Sequence, residues 1–215
     1  MKLKVLALGF GLALFGFTSC GGGSEEKSSI ISEEEAEESS ESAVESVSYA
    51  VSPDASSIVW HGDALAGAYA HAGTVNISEG SLEVAGGAIT GGSFTVDMTS
   101  LKATDDNYPE DGSKTPEMLV SHLSTPDFFA VEANPTAKFA ITKVEGSKVM
   151  GDLTIRGITK EATITDVNVE ELEGSVTAKG NLEFDRQKFE VAYDGGKDFV
   201  ISNAIQLEIT VEAIK

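Results

Sequence analysis

The sequence has few of the residues on which several classes of protein depend. Its 215 residues include one cysteine, three histidines and 15 basic side chains against 35 acidic ones, for a net charge of −20. A single cysteine cannot form an intramolecular disulfide, so no disulfide framework holds the fold. Binding to a nucleic-acid backbone needs clustered Lys and Arg. The composition therefore argues against a disulfide-stabilised domain and against a nucleic-acid partner.

Motifs that carry catalysis or metal binding are missing as well. There is no G-x-S-x-G nucleophile motif and no phosphate-binding glycine loop. His61, His71 and His122 lack the H-x-H or H-x-x-x-H spacing of metal ligands, which favours structural or surface roles for all three. Residues 105–112 are acidic but lack the spaced ligands of a calcium loop, which favours a solvated loop. We therefore predict no enzyme activity, no cofactor and no metal.

The N-terminus has the pattern of an export signal. Lys2 and Lys4 precede an apolar run at residues 5–17, which is shorter than the roughly 20 residues of a membrane span. The run ends at Cys20, followed by three glycines, and this resembles a bacterial lipoprotein signal. We predict that residues 1–20 are a lipoprotein signal peptide and that Cys20 is lipidated. The alternative is cleavage nearby, with Cys20 incidental.

If Cys20 is lipidated, the protein is attached to a membrane through this anchor. The predicted location is the cell envelope, in the outer membrane, on its periplasmic face or at the surface. The sequence sets no oligomeric state and allows a homodimer.

Residues 21–48 form a low-complexity segment with nine glutamates and one lysine. Such a segment has too little apolar surface to offset the entropy of ordering, so we predict an acidic disordered tether. Its Glu and Ala content leaves a helix at residues 33–47 as an alternative.

Residues 49–215 form the predicted folded domain, and apolar residues alternate with polar ones through most of it. Alternation with a period of two indicates half-buried strands. Thr115 and Pro116 predict one short helix at residues 116–122, with Thr115 as its N-cap. Glu79 and Gly80 predict a turn between two strands. The strands are predicted at residues 57–62, 69–78, 81–85, 88–101, 136–145, 149–156, 162–170 and 173–184, and the last apolar alternation runs from Phe199 to Ala213 as one strand or as two with a bend at Asn203. About eight strands joined by short turns favour an antiparallel sandwich or an up-and-down barrel.

Residues 121–141 are the most distinctive part of this domain. Phe128 and Phe129 are adjacent between Pro126 and Pro135, and each proline limits regular structure. We predict a short rigid loop in which one ring faces inward and the other caps a loop. The sequence does not say which ring is which.

Five ordered motifs carry a family resemblance. They are Phe94-Thr95-Val96-Asp97, His122-Leu123, Asp127-Phe128-Phe129, Pro135-Thr136-Ala137-Lys138-Phe139, and Gly151-Asp152-Leu153-Thr154-Ile155 continued by Gly157-Ile158-Thr159-Lys160. This set resembles the YceI-like family, with Arg156 at a position where many members have a histidine. The resemblance implies an all-β, lipocalin-like, extended eight-stranded antiparallel barrel. It also implies that the barrel binds a polyisoprenoid or related amphipathic lipid in its bore.

The resemblance turns a set of inward-facing residues into candidates for lining that bore. These candidates are Phe94, Val96, Met98, Phe128, Phe129, Phe139, Ile141, Leu153, Ile155, Leu182, Leu207 and Ile209. We predict a lipid-anchored protein that sequesters or carries an isoprenoid-type lipid, such as a quinone or a polyprenyl carrier. The alternative is a ligand-free structural or interaction module with a filled barrel, displayed on the cell envelope.

Overall fold

A computed structural model describes residues 45–196 and 200–215. In these ranges the chain forms nine β-strands, one α-helix and two short 3₁₀ helices at Leu65–Gly67 and Arg186–Phe189. The elements are β1 (Val47–Val51), β2 (Ser57–Ala64), β3 (Tyr69–Ala85), β4 (Ala88–Ala103), α1 (Pro116–Leu123), β5 (Thr136–Glu145), β6 (Lys148–Ile155), β7 (Ile158–Leu172), β8 (Ser175–Asp185) and β9 (Ile201–Ile214).

The strands close into a barrel. From β2 to β9 each strand pairs antiparallel with the next one in the chain, and β9 pairs back with β2. The short β1 lies in the same position as β2, because both pair with β3 and β9. Nine strands therefore occupy eight positions. The predicted eight-stranded up-and-down barrel is confirmed, and the alternative of a sandwich is wrong.

The two ends of the barrel are built differently. At one end, which we call the tight-turn end, three hairpins each reverse within two residues; the pairs that close them are Ala85 with Ala88, Glu145 with Lys148, and Leu172 with Ser175. At the other end, which we call the helix end, α1 and the loop at residues 124–135, which we call the aromatic loop, join β4 to β5. The β2–β3 turn, the β6–β7 turn and a long β8–β9 connection lie at the same end. This asymmetry leaves room for a site at the helix end.

The predicted turn at Glu79 and Gly80 is wrong, because both residues lie inside the continuous strand β3. The pairing of β3 with β4 shifts register between Ile77 and Glu79, as in a β-bulge. A Cβ on Gly80 would lie 2.6 Å from the carbonyl oxygen of Ser93 and 2.9 Å from the ring of Phe94. Gly80 therefore permits the close approach of β4, which is a common reason for a glycine inside a strand.

The predicted helix and last strand agree with the structure. The Thr115 side chain accepts a hydrogen bond from the Met118 N–H at 3.3 Å and caps α1 as expected. Residues 201–214 form one strand, β9, which pairs with all of β8 without a register shift. Phe199 lies outside the described residues.

The signal peptide, Cys20 and most of the tether lie outside the described residues, so those interpretations stay predictions. The first described strand begins at Val47, within the last two residues of the predicted tether. Among residues 45–196 and 200–215, no helix has the length and apolar character needed to cross a membrane.

Gly73 provides a test of how β2, β3 and β4 fit together. A Cβ at this position would lie 1.8 Å from the Lys102 carbonyl oxygen and 2.6 Å from the Trp60 ring, which donates its indole N–H to the same carbonyl. We expect Gly73→Ala to lower the free energy of unfolding by about 1–3 kcal/mol, the usual cost of overpacking. Denaturant unfolding measures the loss.

Gly62→Ala is the matched control on the neighbouring strand. Its added Cβ would meet only the Ile205 side chain at 3.5 Å, an ordinary contact. This change should be neutral or slightly stabilising, because alanine costs less backbone entropy than glycine. Equal losses for the two variants would contradict the packing described here.

Candidate functional site

A cavity of about 670 Å³ occupies the helix-end part of the barrel. Its wall is mostly aliphatic and aromatic, and its volume lies within the roughly 300–1,000 Å³ of small-molecule pockets. A mostly apolar wall of this kind favours apolar ligands. Seven predicted bore residues line it: Val96, Met98, Phe128, Phe129, Leu153, Ile155 and Leu207.

The remaining predicted bore residues lie deeper, toward the tight-turn end. A second, much smaller cavity of about 80 Å³ is found there. Phe94, Phe139, Ile141, Leu182 and Ile209 line only this smaller space. Both cavities share Val96, Ala137 and Leu153 among their lining residues, so they are neighbours along the barrel axis. Whether any of the twelve residues contacts a ligand stays a prediction.

Packing differs between the two ends of the barrel. Tyr49, Val84, Val149, Val176 and Ala213 lie toward the tight-turn end and are at most 2% exposed. In contrast, Val96, Met98 and Leu207 at the helix end are only partly buried, because their side chains border the cavity. The barrel is therefore filled at one end and hollow at the other.

Three aromatic side chains from separate segments meet at the helix end. His122 of α1 packs edge-on against Phe128 at 4.9 Å and against Tyr193 at 4.7 Å between ring centroids. Phe128 and Tyr193 lie 5.1 Å apart, and all three residues line the cavity. Contacts of this kind contribute about 0.5–1.5 kcal/mol beyond burial. They connect the helix, the aromatic loop and the β8–β9 connection.

The sequence predicts one inward ring in the Phe128–Phe129 pair, and the structure differs. Both rings border the cavity, and Phe128, at 7% exposed, is the more deeply buried of the two. The loop is compact because its backbone bonds to the end of α1, with Phe129 N–H donating to the Leu123 carbonyl oxygen at 3.0 Å. In this compact loop both adjacent rings border the cavity, and neither points away from it.

Arg156 holds this aromatic loop against the barrel. Arg156 and Gly157 are the two residues of the β6–β7 turn and both have positive φ, as a type I′ hairpin requires. The Arg156 guanidinium donates to the carbonyl oxygen of Pro126 at 2.9 Å and to that of Phe128. An arginine at this position therefore contacts the loop backbone.

Arg186 has a comparable role in the β8–β9 connection. Its side chain is 1% exposed and donates to three backbone carbonyls, at 2.8 Å to Ser202, 2.5 Å to Val191 and 3.3 Å to Ile201. Burial lowers the pKa of its guanidinium, although the charges of Asp185 and Asp194 act in the other direction. These hydrogen bonds hold the described part of the connection, in which residues 191–196 have no regular structure and Tyr193 lines the cavity.

A polar cluster lies at the same end of the cavity. The Asp105 carboxylate accepts hydrogen bonds from the backbone N–H of Ala72 at 3.0 Å and of Asn107 at 3.0 Å, and lies 3.1 Å from His71 Nδ1. Burial alone would raise the pKa of Asp105, but these hydrogen bonds outweigh it and lower the pKa. Asp105 is 17% exposed, so the expectation of a solvated acidic loop is wrong for this residue.

Tyr108 completes the cluster. Its ring stacks on His71 with centroids 4.9 Å apart, and its hydroxyl donates to Asp105 at 3.4 Å. Burial, together with the negative charge of Asp105, raises the pKa of Tyr108 to about 12. Both His71 and Tyr108 line the cavity, so a polar, partly buried surface adjoins the apolar one.

Several cavity residues were not among the candidates from sequence. Trp60 and His71 could have been found from alternation, since Ile58, Trp60 and Gly62 share one face of β2, and His71 and Val75 share one face of β3. Tyr108 and Tyr193 follow no periodic pattern, because they lie in irregular segments. In the described part of the chain, no group of three or more His, Cys, Asp or Glu could hold a metal ion.

The family model of the YceI-like domain matches residues 49–213, most of the barrel. The chain belongs to the YceI-like family. This confirms the resemblance that the five motifs carry.

Individual proteins match this YceI-like chain less completely than the family model does. A UPF0312 protein of Staphylococcus epidermidis and one of Staphylococcus aureus are each 40% identical to it over 67 residues, which is 31% of this chain and 39% of theirs. The match thus spans well under half the length of these relatives. The crystal structure of BcnA from Burkholderia cenocepacia has 20% identity and a TM-score of 0.59, covering 76% of this chain and 99% of BcnA. At this identity the likeness concerns the fold alone.

Asp105 gives the YceI-like barrel a testable pH dependence. A carboxyl group whose pKa is lower in the folded state stabilises the fold above its unfolded pKa of about 3.9, and this stabilisation is lost as the pH falls through the folded pKa. We expect Asp105→Asn to lower the free energy of unfolding by about 1–3 kcal/mol at neutral pH. The difference from wild type should shrink below about pH 4.

Unfolding by denaturant across this pH range measures the effect. Asp106→Asn is the control, because Asp106 is an exposed neighbour in the same loop. A loss for Asp105→Asn that is independent of pH, or an equal loss for Asp106→Asn, would contradict the assigned role of the carboxylate.

Proposed function

We propose that this protein is a passive binding protein that sequesters or carries an isoprenoid-type lipid, such as a quinone or a polyprenyl carrier, in its barrel. The observation that carries the proposal is the apolar cavity of about 670 Å³ at the helix end. A filled barrel, as the alternative of a ligand-free module requires, would leave no such space. Membership of the YceI-like family supports the same cargo class.

The tail of the lipid would lie among Val96, Met98 and Leu207, with its far end toward Ala137 at the start of the smaller cavity. Burial of apolar surface contributes about 25 cal/mol per Å², so the tail supplies most of the affinity. A polar head would then remain at the helix end, where His71, Tyr108 and Lys114 border the cavity. Binding of this kind needs no chemical step.

The surface around the helix end suits exchange of a lipid with a membrane. In the described part of the chain, four of the six exposed large hydrophobic residues lie there: Leu65, Met118, Tyr193 and Val200. Leu65 and Val200 are adjacent, since the N–H of Leu65 donates to the Val200 carbonyl oxygen at 2.8 Å. We infer that the protein works at the cell envelope after export, attached to a membrane through a lipid on Cys20.

Filling the cavity tests the proposed function. Ala137 faces inward, is 6% exposed and lines both cavities. We expect Ala137→Phe to occupy the path of the tail and to weaken binding of a geranylgeranyl-tailed menaquinone at least about tenfold. Trp60, the single tryptophan, lines the cavity, so saturable quenching of its fluorescence by the quinone measures the affinity.

Ala140→Phe is the matched control, because Ala140 lies on the same strand with its side chain on the exposed face. Its affinity for the quinone should equal that of wild type. Absence of saturable quenching in wild type, or equal affinities for the two variants, would contradict the proposal.

A further inference from the structure

The polar cluster at the helix end fixes which atom of His71 faces a ligand. Asp105 is held as a carboxylate by two backbone N–H groups and can only accept hydrogen bonds. His71 Nδ1, 3.1 Å away, must therefore carry the proton that lies between them. In the neutral imidazole this leaves Nε2 as a hydrogen-bond acceptor.

No protein group occupies that acceptor in the part of the chain described. Within residues 45–196 and 200–215, His71 Nε2 has no hydrogen-bond partner, whereas Nδ1 is bonded and one ring face is stacked on Tyr108. His71 lines the cavity and its side chain is 23% exposed. The remaining hydrogen-bonding position of a well-oriented imidazole is thus available to a bound molecule.

The charges at this end disfavour an anionic head group. Asp63 lines the cavity, and Asp105 lies behind His71. Of the cations that line the cavity, Arg186 already donates to three backbone carbonyls, and Lys114 lies over the Tyr69 ring at 5.7 Å from its centroid. A phosphate would lose its hydration beside two carboxylates, which is costly without dedicated cations.

We propose that His71, oriented by Asp105, is the head-group site of the cavity, and that it selects an uncharged head with a hydroxyl group over a phosphate. The hydroxyl donates to Nε2 while the isoprenoid tail fills the apolar space. Both a quinol and an isoprenoid alcohol have this chemistry. The inference rests on the proposed lipid-binding function and narrows its cargo class. Asp105 is a positioning residue in this arrangement, since it acts through His71.

Ligands with comparable tails and different heads test the selectivity. Geranylgeraniol, geranylgeranyl phosphate and the hydrocarbon phytane compete at about pH 8 against the quinone that quenches Trp60. We expect geranylgeraniol to bind about tenfold more tightly than the phosphate or phytane, the effect of about one hydrogen bond. Reduced menaquinone with the same tail then distinguishes the sources, because tighter binding than geranylgeraniol indicates a quinol and weaker binding an alcohol.

Two variants assign the selectivity to His71. His71→Phe should weaken binding of geranylgeraniol about tenfold and leave phytane unchanged. His61→Phe is the matched control, since His61 also lies beside a carboxylate, Glu208 at 3.2 Å, but does not line the cavity. It should bind all probes like wild type. Equal or tighter binding of the phosphate by wild type, or unchanged binding of geranylgeraniol by a folded His71→Phe, would overturn the proposal.

A measurement on the wild-type protein does not depend on whether a variant folds. Nitrogen NMR shifts of His71 in wild type should show a protonated Nδ1 and an unprotonated Nε2, and Asp105→Asn should remove this preference. The opposite tautomer in wild type would overturn the proposal. If neither phytane nor any prenylated probe binds, the carrier function itself fails; binding without head-group selectivity defeats only the present inference.

Discussion

Strand β9 pairs with the whole of β8 on one side and with β2 on the other, and this pairing closes the barrel on which the rest of the structure depends. A closed sheet has no free edge, so its backbone hydrogen bonds are satisfied without a packed interior. Side chains are then free to fill the barrel or to leave part of it open. In this chain the tight-turn end is filled with residues such as Val176 and Ala213, both fully buried, and the helix end is hollow.

A hollow end needs support that does not come from core packing. Unfilled apolar volume costs stability, and segments above it tend to collapse inward. Here polar side chains bond to backbone instead: Arg156 to the aromatic loop, Arg186 to Val191 of the β8–β9 connection, and Asp105 to β3 through Ala72. Around each of these charged side chains, backbone groups take the place of water as hydrogen-bond partners. The connections at this end are thereby ordered while the space beneath them remains available.

Local patterns in the sequence predict much of this architecture. Alternation defines most strands, Thr115 and Pro116 define the helix start, and the five motifs define the family. The wrong predictions concern residues whose role depends on a contact with a residue far away in the sequence. Gly80 accommodates the ring of Phe94 on the next strand, and the partly buried Asp105 accepts a hydrogen bond from Ala72, 33 positions away. Alternation cannot distinguish Phe139 in the filled part from Val96 beside the large cavity, because both simply point inward. Tyr193 reaches the cavity from an irregular segment, and no periodic signal marks it.

The hollow end is the proposed binding site of an isoprenoid lipid. The most direct measurement is native mass spectrometry of the full chain purified from its own host, with organic extraction of anything bound. We expect a stoichiometric adduct that yields a prenylated lipid with an uncharged head. A bare mass that stays unchanged after incubation with prenylated quinones, quinols and polyprenyl phosphates would contradict the proposal.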